Sequence, residues 1–249
     1  MLPDAVITGF SFPVGVGADG RGFLYVSDAG TSMVYVFAPG ANGQAKPVRT
    51  IPVDVTYLVT WGSYFIAEDQ FGEVNVYQDD GNGVPIQRML YPSSNTGLAV
   101  RPNGKLYLSW VDDPITVYDT VLPPREMAKI PKPSQEISRA RPGWYGTGLA
   151  VDDRDIFADT LSNGPVRIAV LPIASNGPTR PRRTIVTPAC NGGGNVASYT
   201  LAVGSKYLYE ACAVASALFL YDKRADGRVD PVYTLSGPFT SIFQVTIGR

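Results

Sequence analysis

The chain of 249 residues contains no histidine. Histidine is the commonest general base near neutral pH and the commonest ligand of transition metals, so its absence excludes Ser-His-Asp catalysis, Cys-His catalysis and histidine-ligated zinc. Charged residues are also scarce, at 17% of the chain. The 21 basic and 22 acidic residues nearly cancel and leave a formal net charge of −1. A near-neutral chain has no overall field that attracts nucleic acid or an anionic membrane, and we expect neither as a partner.

Long apolar runs and secretory signals are missing as well. No apolar run reaches 18 residues, so the sequence predicts no membrane-spanning helix. The first residues, MLPDAVITGF, do not show a basic segment followed by an apolar segment. Two alternatives stay open on this evidence, a cytoplasmic protein or one from which a leader has been removed.

Helical periodicity with capping signals is absent too, whereas short segments recur in a fixed order. The first segment of each unit is apolar and ends in Gly, Asp or Pro, at 14–19, 57–62, 97–102, 148–153, 199–204 and 243–248. The second is hydrophobic and aromatic, at 22–28, 64–69, 105–110, 155–160 and 206–211. The third alternates, at 33–40, 73–80, 114–120, 166–172 and 217–223. The fourth resembles PVRTI, at 47–51, 85–90, 124–130, 181–185 and 231–235.

This repeat predicts an all-β fold. Each segment has the length of a strand, many alternate with period two, and tight turns such as ADGRG and RPNG join the first segment to the second. Successive units begin about 40–50 residues apart, which is typical of the four-stranded blades of a β-propeller. We therefore expect one propeller domain over residues 1–249. A β-sandwich is the alternative, but it would not explain four segments recurring in one order.

The repeat allows two interpretations of the number of blades. There are five complete units, a sixth first segment at 243–248, and a sixth fourth-type segment, DAVITGF, at 4–10. Strands from the two chain ends often share the last blade of a propeller, so these two segments should belong together. We prefer a six-bladed design that lacks about 25 residues at its C-terminal end, judged from the length of the repeat. Five blades with the chain ends packed as extras is the alternative.

The fourth segments should form the outer edge of each blade. Such an edge exposes unpaired backbone groups, and the proline and arginine of PVRTI and PRRTI discourage pairing with another sheet. We therefore interpret these arginines as residues of a solvated edge.

Residues 15–51 suggest a family. They contain D-G-x-G-x-L-Y-V-x-D, then V-x-V-F, and then P-x-R-T-I, with weaker copies at 97–110 and 148–160. This pattern resembles the NHL-type repeats of bacterial secreted propellers. The resemblance implies the propeller fold, but such repeats occur in lactonases, in lyases, and in scaffolds that bind proteins, sugars or RNA. The lyases of this group rely on histidine, so lyase activity is disfavoured.

The resemblance also suggests where a metal ion could bind. Related lactonases of the gluconolactonase and senescence-marker type hold a divalent cation at the top of the channel with Glu, Asn and Asp. The aligned position at the ends of the second segments reads Ser27, Glu68, Ser109, Asp159 and Glu210. Glu68, Asp159 and Glu210 could bind Ca²⁺ through oxygen if their strands aim them at the axis. The family pattern is not matched residue by residue, so we assign no catalytic residue, and solvated turn carboxylates are the alternative.

The two cysteines should lie on the same rim of the propeller. Cys190 is in the loop that enters the fifth unit, and Cys212 ends the second segment of that unit. A disulfide between them would restrain a glycine-rich loop by about 3 kcal/mol. A disulfide would also favour secretion or the periplasm, where the environment is oxidising. The alternative is two buried free thiols.

A ligand would be expected on the rim that carries the loops between second and third segments. The insertion at 131–148 enters the same rim and brings Trp144 and Tyr145 toward the channel mouth. Exposed aromatic rings beside carboxylates suit a sugar or a peptide. The predicted ligand-binding residues are Asp28, Asp69, Trp110, Asp112, Asp113, Trp144 and Tyr145. Packing of Trp110 and Trp144 within the protein is the alternative reading of those two side chains.

Two functional hypotheses follow. The first is a monomeric, secreted or periplasmic propeller that binds a protein or a glycan on this rim without catalysis. The second is a Ca²⁺-dependent, lactonase-like hydrolase that uses Glu68, Asp159 and Glu210. RNA binding would need a continuous basic face, which the net charge disfavours.

Overall fold

We describe the protein from a computed structural model. The residues described are 4–69, 71–79, 81–89, 97–110, 113–119, 132–140, 145–160, 165–190, 200–212, 214–236 and 244–247. In these ranges the secondary structure consists of β-strands. No helix that could cross a membrane is found in this part of the chain.

The strands form five small sheets, which are the blades of a propeller. Blade 1 contains β1 (Pro13–Ala18), β2 (Leu24–Asp28), β3 (Met33–Phe37) and β4 (Arg49–Ile51). Blade 2 contains β5 (Val55–Trp61), β6 (Tyr64–Asp69), β7 (Val74–Gln78) and β8 (Pro85–Met89). Blade 3 contains β9 (Gly97–Val100), β10 (Leu106–Ser109), β11 (Ile115–Tyr118) and β12 (Gln135–Arg139). Blade 4 contains β13 (Tyr145–Val151), β14 (Asp155–Thr160), β15 (Val166–Pro172) and, after the short β16 (Gly177–Thr179), β17 (Arg183–Thr187). Blade 5 contains β18 (Thr200–Val203), β19 (Tyr207–Cys212), β20 (Ala217–Asp222) and, after the short β21 (Gly227–Arg228), β22 (Tyr233–Ser236).

The four main strands of each blade are antiparallel and follow chain order from the axis outward. The first strands are innermost, and β1 packs beside β5, β5 beside β9, β9 beside β13, and β13 beside β18. The propeller predicted from the repeat is therefore confirmed. The described strands make five blades, which is the alternative to the six-bladed design that we preferred.

Apolar side chains fill the junctions between consecutive blades. Tyr25 of blade 1 meets Phe65 of blade 2 with ring centroids 6.0 Å apart. The junction between blades 2 and 3 contains Ile66 and Leu108, that between blades 3 and 4 contains Tyr107 and Ile156, and that between blades 4 and 5 contains Phe157 and Phe219. Burial of each such side chain contributes about 1.5–3 kcal/mol. A four-stranded sheet cannot cover its own faces, so each blade depends on its neighbours.

Two short strands join neighbouring blades at the outer edge. β16 belongs to the connection between the third and fourth strands of blade 4, yet it pairs in parallel with β12 of blade 3. β21 has the same place in blade 5 and pairs in parallel with β17 of blade 4. The outer edges of blades 3 and 4 are thus covered by a strand rather than by solvent alone.

The arginine of the fourth segment also joins blades. Arg49 in β4 makes an ion pair of 2.6 Å with Asp79 of blade 2. Arg183 in β17 bonds Asp155 of its own blade at 3.2 Å and the backbone oxygen of Lys223 in blade 5 at 2.9 Å. These arginines are half-buried bridges, whereas the sequence suggested a solvated edge.

Candidate functional site

The second strands of all blades end on one face of the propeller, which we call the loop rim. It carries the connections between second and third strands, such as residues 29–32 in blade 1 and residues 71–73 in blade 2. The connection from the fourth strand of blade 1 to blade 2, at residues 52–54, reaches the same face. Most of the predicted site residues lie at this rim, and their side chains differ greatly in exposure.

The three predicted metal ligands are buried inside the protein rather than solvated. Glu68, Asp159 and Glu210 lie one or two residues before the ends of β6, β14 and β19, at positions that the repeat aligns. All three are buried. Among the residues that the structure describes, no three acidic or cysteine side chains come together in a way that could hold a metal ion. The convergence on the channel axis, on which the calcium hypothesis depended, is not observed for these three residues.

Asp159 is held by the innermost strand of its own blade. The backbone N–H of Gly148 donates to its Oδ1 at 3.0 Å. A Cβ atom added at Gly146 or Gly148 would press against this carboxyl group, so the missing side chains create the space that Asp159 fills. Burial raises the pKa of Asp159 to about 7, although backbone N–H groups of Gly148 and Gly146 oppose the shift.

Glu210 lies in the junction between blades 4 and 5. Its Oε1 accepts a hydrogen bond of 3.1 Å from the hydroxyl of Thr187. Burial raises the pKa of Glu210 to about 8, and the charge of Asp159 contributes in the same direction. Buried carboxyls of this kind could serve as acids, but the geometry here makes them parts of a blade junction.

The predicted pairing of the two cysteines is confirmed. Cys190 and Cys212 form a disulfide with a Cα–Cα distance of 5.7 Å and a sequence separation of 22 residues. Both are fully buried in the apolar cluster between blades 4 and 5. The bond ties the segment that leaves blade 4 to the second strand of blade 5, two residues after Glu210.

Asp28 and Asp69 fix backbone at the loop rim. Asp28 is buried, and its carboxylate accepts hydrogen bonds from the backbone N–H groups of Ser11 at 2.8 Å and Phe12 at 2.6 Å. The Oδ1 of Asp69 accepts hydrogen bonds from the backbone N–H groups of Phe71 at 2.8 Å and Glu73 at 2.9 Å. Both carboxylates are occupied by the protein's own backbone, and each thereby holds a phenylalanine in place.

The aromatic residues predicted to bind a ligand are not exposed. Trp110 is 4% exposed and packs between blades 2 and 3. Tyr145 is 1% exposed and packs between blades 3 and 4, and this burial raises its pKa to about 12. The expectation of exposure is wrong for these two because the blade junctions enclose them. Asp113 is exposed, whereas Asp112 and Trp144 lie outside the described residues.

Two other aromatic side chains are exposed at the loop rim. Phe12 precedes β1 and is 53% exposed, and Phe71 lies in the turn between β6 and β7 and is 77% exposed. They belong to adjacent blades. Neither phenylalanine was among the predicted ligand-binding residues, although the position of Phe71 in the polar turn EDQFGE is a sequence signal for an exposed ring. These residues, with Asp28 and Asp69 behind them, are the candidate site.

A cavity of about 390 Å³ lies along the axis. Its lining includes the turns after β1, β5 and β9, so it reaches the face opposite to the loop rim. Most of its lining side chains are apolar, and its charged lining residues are Asp19 and Arg101. Asp19 is engaged by the guanidinium of Arg21 at 2.6 Å, and Arg101 by Asp153 at 3.3 Å. The cavity therefore presents an apolar channel, and its two charged residues are already paired with others.

Comparisons with solved structures support the propeller and leave the family open. The chain is similar to the structure described as the WD40 beta propeller domain of Doa1, with a TM-score of 0.59, 14% identity, and coverage of 94% of this chain and 71% of that one. It is also similar to a chain of a nidogen/laminin complex, with a TM-score of 0.61, 15% identity, and coverage of 92% and 82%. No protein-family model and no curated protein sequence matches the chain. At these identities the likeness shows a β-propeller fold, and the NHL type of the repeat is not confirmed.

Proposed function

We propose that the protein is a non-catalytic scaffold, secreted or periplasmic, that binds a protein partner through the loop rim of blades 1 and 2. The observation that carries this proposal is the pair of exposed phenylalanines, Phe12 and Phe71, on adjacent blades. Aromatic side chains are enriched at the centres of protein interfaces, where they provide much of the binding energy.

The rigidity of the two phenylalanine-bearing segments supports the same conclusion. The carboxylates of Asp28 and Asp69 each accept backbone hydrogen bonds that include the N–H group of Phe12 or Phe71. A rim that is already fixed in its bound shape loses less conformational entropy when a partner docks. One of the similar structures is described as a complex of nidogen with laminin, which shows that a propeller of this shape occurs in a protein assembly.

The buried disulfide supports the location. Disulfide bonds form and persist in oxidising compartments and are rare in the cytosol. The second hypothesis, a Ca²⁺-dependent hydrolase, has no comparable support, because its three carboxylates are buried and do not gather into a metal-binding group among the described residues. A glycan partner has less support, because two of the three rings predicted to bind it, Trp110 and Tyr145, are enclosed, and the third, Trp144, lies outside the described residues.

Replacing Phe12 and Phe71 together with serine should strongly weaken partner binding while leaving the fold intact. We expect at least a tenfold weaker affinity, since truncation of a central interface aromatic costs about 2 kcal/mol or more. The measurement is cross-linking of the immobilised protein to its native extracellular or periplasmic fraction, with quantitative mass spectrometry of the captured proteins.

The matched control is Val84→Ser, which removes an apolar side chain that is 59% exposed on the opposite face. A partner captured by the wild type and by this control, but not by the double variant, supports the proposal. Equal capture by all three proteins would contradict it. Melting temperatures of the three proteins should agree within a few degrees, because the side chains of Phe12, Phe71 and Val84 are each more than half exposed.

A further inference from the structure

The loop rim of blades 1 and 2 is acidic. Its described connecting residues are 10–13, 28–33, 52–55, 69 and 71–74. These residues include no lysine or arginine, and their charged side chains are Asp28, Asp54, Asp69 and Glu73. Asp28 is buried, whereas the other three are half-buried and therefore partly accessible to solvent. The formal net charge of −1 for the whole chain conceals this local excess of negative charge.

On blade 1, the acidic residues lie beside Phe12. The carboxylate of Asp28 accepts a hydrogen bond of 2.6 Å from the backbone N–H of Phe12, and Asp28 begins the turn that leads to Ser32. The hydroxyl of Ser32 donates to the Oδ2 of Asp54 at 3.2 Å. Asp54 belongs to the connection into blade 2, so this connection and Phe12 are both attached to one turn of blade 1.

On blade 2, the same surface continues to Phe71. Asp54 directly precedes Val55, and Val55 is the sheet partner of Asp69. The Oδ1 of Asp69 accepts hydrogen bonds from the backbone N–H groups of Phe71 and Glu73. The two exposed phenylalanines are therefore the ends of one series of contacts, and half-buried carboxylates lie along it.

Basic side chains neutralise acidic ones on the opposite face of these two blades. Arg21 and Arg49 both form ion pairs with Asp79 there, at 3.2 Å and 2.6 Å. Among the described residues, the four acidic side chains of the rim form no ion pair with a lysine or arginine. Arg88, the one basic residue between 55 and 89, is exposed on the outermost strand β8 and offsets at most one of these charges.

We propose that the partner of the loop rim is a basic polypeptide surface, on which lysine or arginine side chains surround an apolar side chain. The apolar side chain contacts Phe12 and Phe71, and the cations face the carboxylates between them. Complementary charge across an interface steers the encounter and selects against partners of like charge. The inference rests on the proposed function, because it specifies the chemistry of the partner at the same surface.

An extended basic polypeptide fits this surface better than a metal ion. The carboxylates are spread over two turns and the connection between them, and no three acidic side chains of the described residues gather into a group that could hold a metal. A polypeptide can place separate cations along such a series and add an apolar contact, which a bare cation cannot provide.

A synthetic peptide tests the proposal. The probe is a blocked seven-residue peptide with leucine, phenylalanine and leucine between two pairs of lysines, and the control peptide has glutamates in place of the lysines. Isothermal titration calorimetry with the full chain should show saturable binding of the lysine peptide and none of the glutamate peptide. Raising NaCl from 0.05 to 0.5 M should weaken the binding about threefold or more, because salt screens exposed charges.

Neutral variants of the rim make the test specific. Asp54→Asn with Glu73→Gln should weaken binding of the lysine peptide about threefold or more. The matched control is Asp119→Asn with Asp153→Asn, which removes two charges from the opposite face, where these side chains are 59% and 87% exposed. The control should bind the peptide as the wild type does, and the equal change in net charge removes any general effect of charge.

The outcomes separate this inference from the proposed function. If neutralising the rim weakens binding while the Phe12→Ser and Phe71→Ser protein binds as the wild type does, the basic preference stands and the role of the phenylalanines fails. If only the serine variant loses binding, the proposed function stands and the basic preference is overturned. No saturable binding of the lysine peptide, or equal binding of the glutamate peptide, would also overturn it. So would a homodimer in sedimentation that Asp54→Asn with Glu73→Gln dissociates, because the surface would then belong to a second copy.

Discussion

Replacing Cys190 and Cys212 together with alanine should lower the free energy of unfolding by about 3 kcal/mol, within a usual range of 2–5 kcal/mol. The bond closes a loop with a sequence separation of 22 residues, and its loss gives the unfolded chain more freedom. Both side chains are fully buried, so the packing between blades 4 and 5 should also loosen. Urea unfolding monitored by circular dichroism measures the change.

The reductant response provides the control. A buried disulfide is protected from reductant until the protein unfolds, so the disulfide of the folded wild type should stay intact when reductant is added. Wild type that is unfolded and then refolded in reductant should have the same free energy of unfolding as the double variant. The stability of the variant itself should not depend on reductant. An unchanged urea midpoint in the double variant would show that the bond does not stabilise this junction.

Raising the pH from 5 to 8 should destabilise the protein through Glu210 and Asp159. Their folded-state pKa values, about 8 and about 7, lie above the values near 4 expected in an unfolded chain. Between pH 4 and pH 8 the folded state therefore binds more protons than the unfolded state, and stability falls as the pH rises. Below pH 4 both carboxyls are neutral in both states, and their stabilising effect is fully present. The loss for Glu210 alone is on the order of 3 kcal/mol by pH 8.

Glu210→Gln should remove about half of this dependence, and the remainder should stay with Asp159. The amide retains an oxygen that can accept from Thr187, but it cannot ionise in the junction. The variant should match the wild type at pH 5 and exceed its stability at pH 8. Asp153→Asn is the matched control, because the Asp153 side chain is 87% exposed. Parallel stability curves for the wild type and Glu210→Gln would contradict the assignment.

The repeat was sufficient to predict the fold because blade geometry is a local property. Strand length, alternation and tight turns fix four strands in order, and sheets that cannot cover themselves must pack in a ring. The same local reasoning placed Cys190 and Cys212 on one rim, and the disulfide is found there. Closure of the ring is not local. It depends on how residues 6–8 and 244–247 meet blades 1 and 5, and no spacing along the chain encodes those contacts.

The candidate site was harder to predict, since side-chain direction decides it. Glu68, Asp159 and Glu210 do occupy equivalent positions near strand ends. The alternation of side-chain direction along each strand, however, points these three side chains into the interior. Trp110 was read correctly as a residue at the end of a second strand, yet only the neighbouring blade shows that it is enclosed. Phe71 is the opposite case. Its exposure follows from a turn that Asp69 caps through two backbone hydrogen bonds, a detail that composition does not reveal.

Hydrogen–deuterium exchange across the whole chain would test most directly whether small sheets pack around one axis. Protection of backbone amides from exchange should follow the same order in every blade. It should be highest in the first and second strands, which face neighbours on both sides, and lowest in the fourth strands β4, β8 and β22. Among the first strands, β5, β9 and β13 each pack between two other first strands and should exchange more slowly than β1 and β18, which each pack closely beside one. Uniform protection along each sheet, or fourth strands as slow as first strands, would contradict the propeller described here.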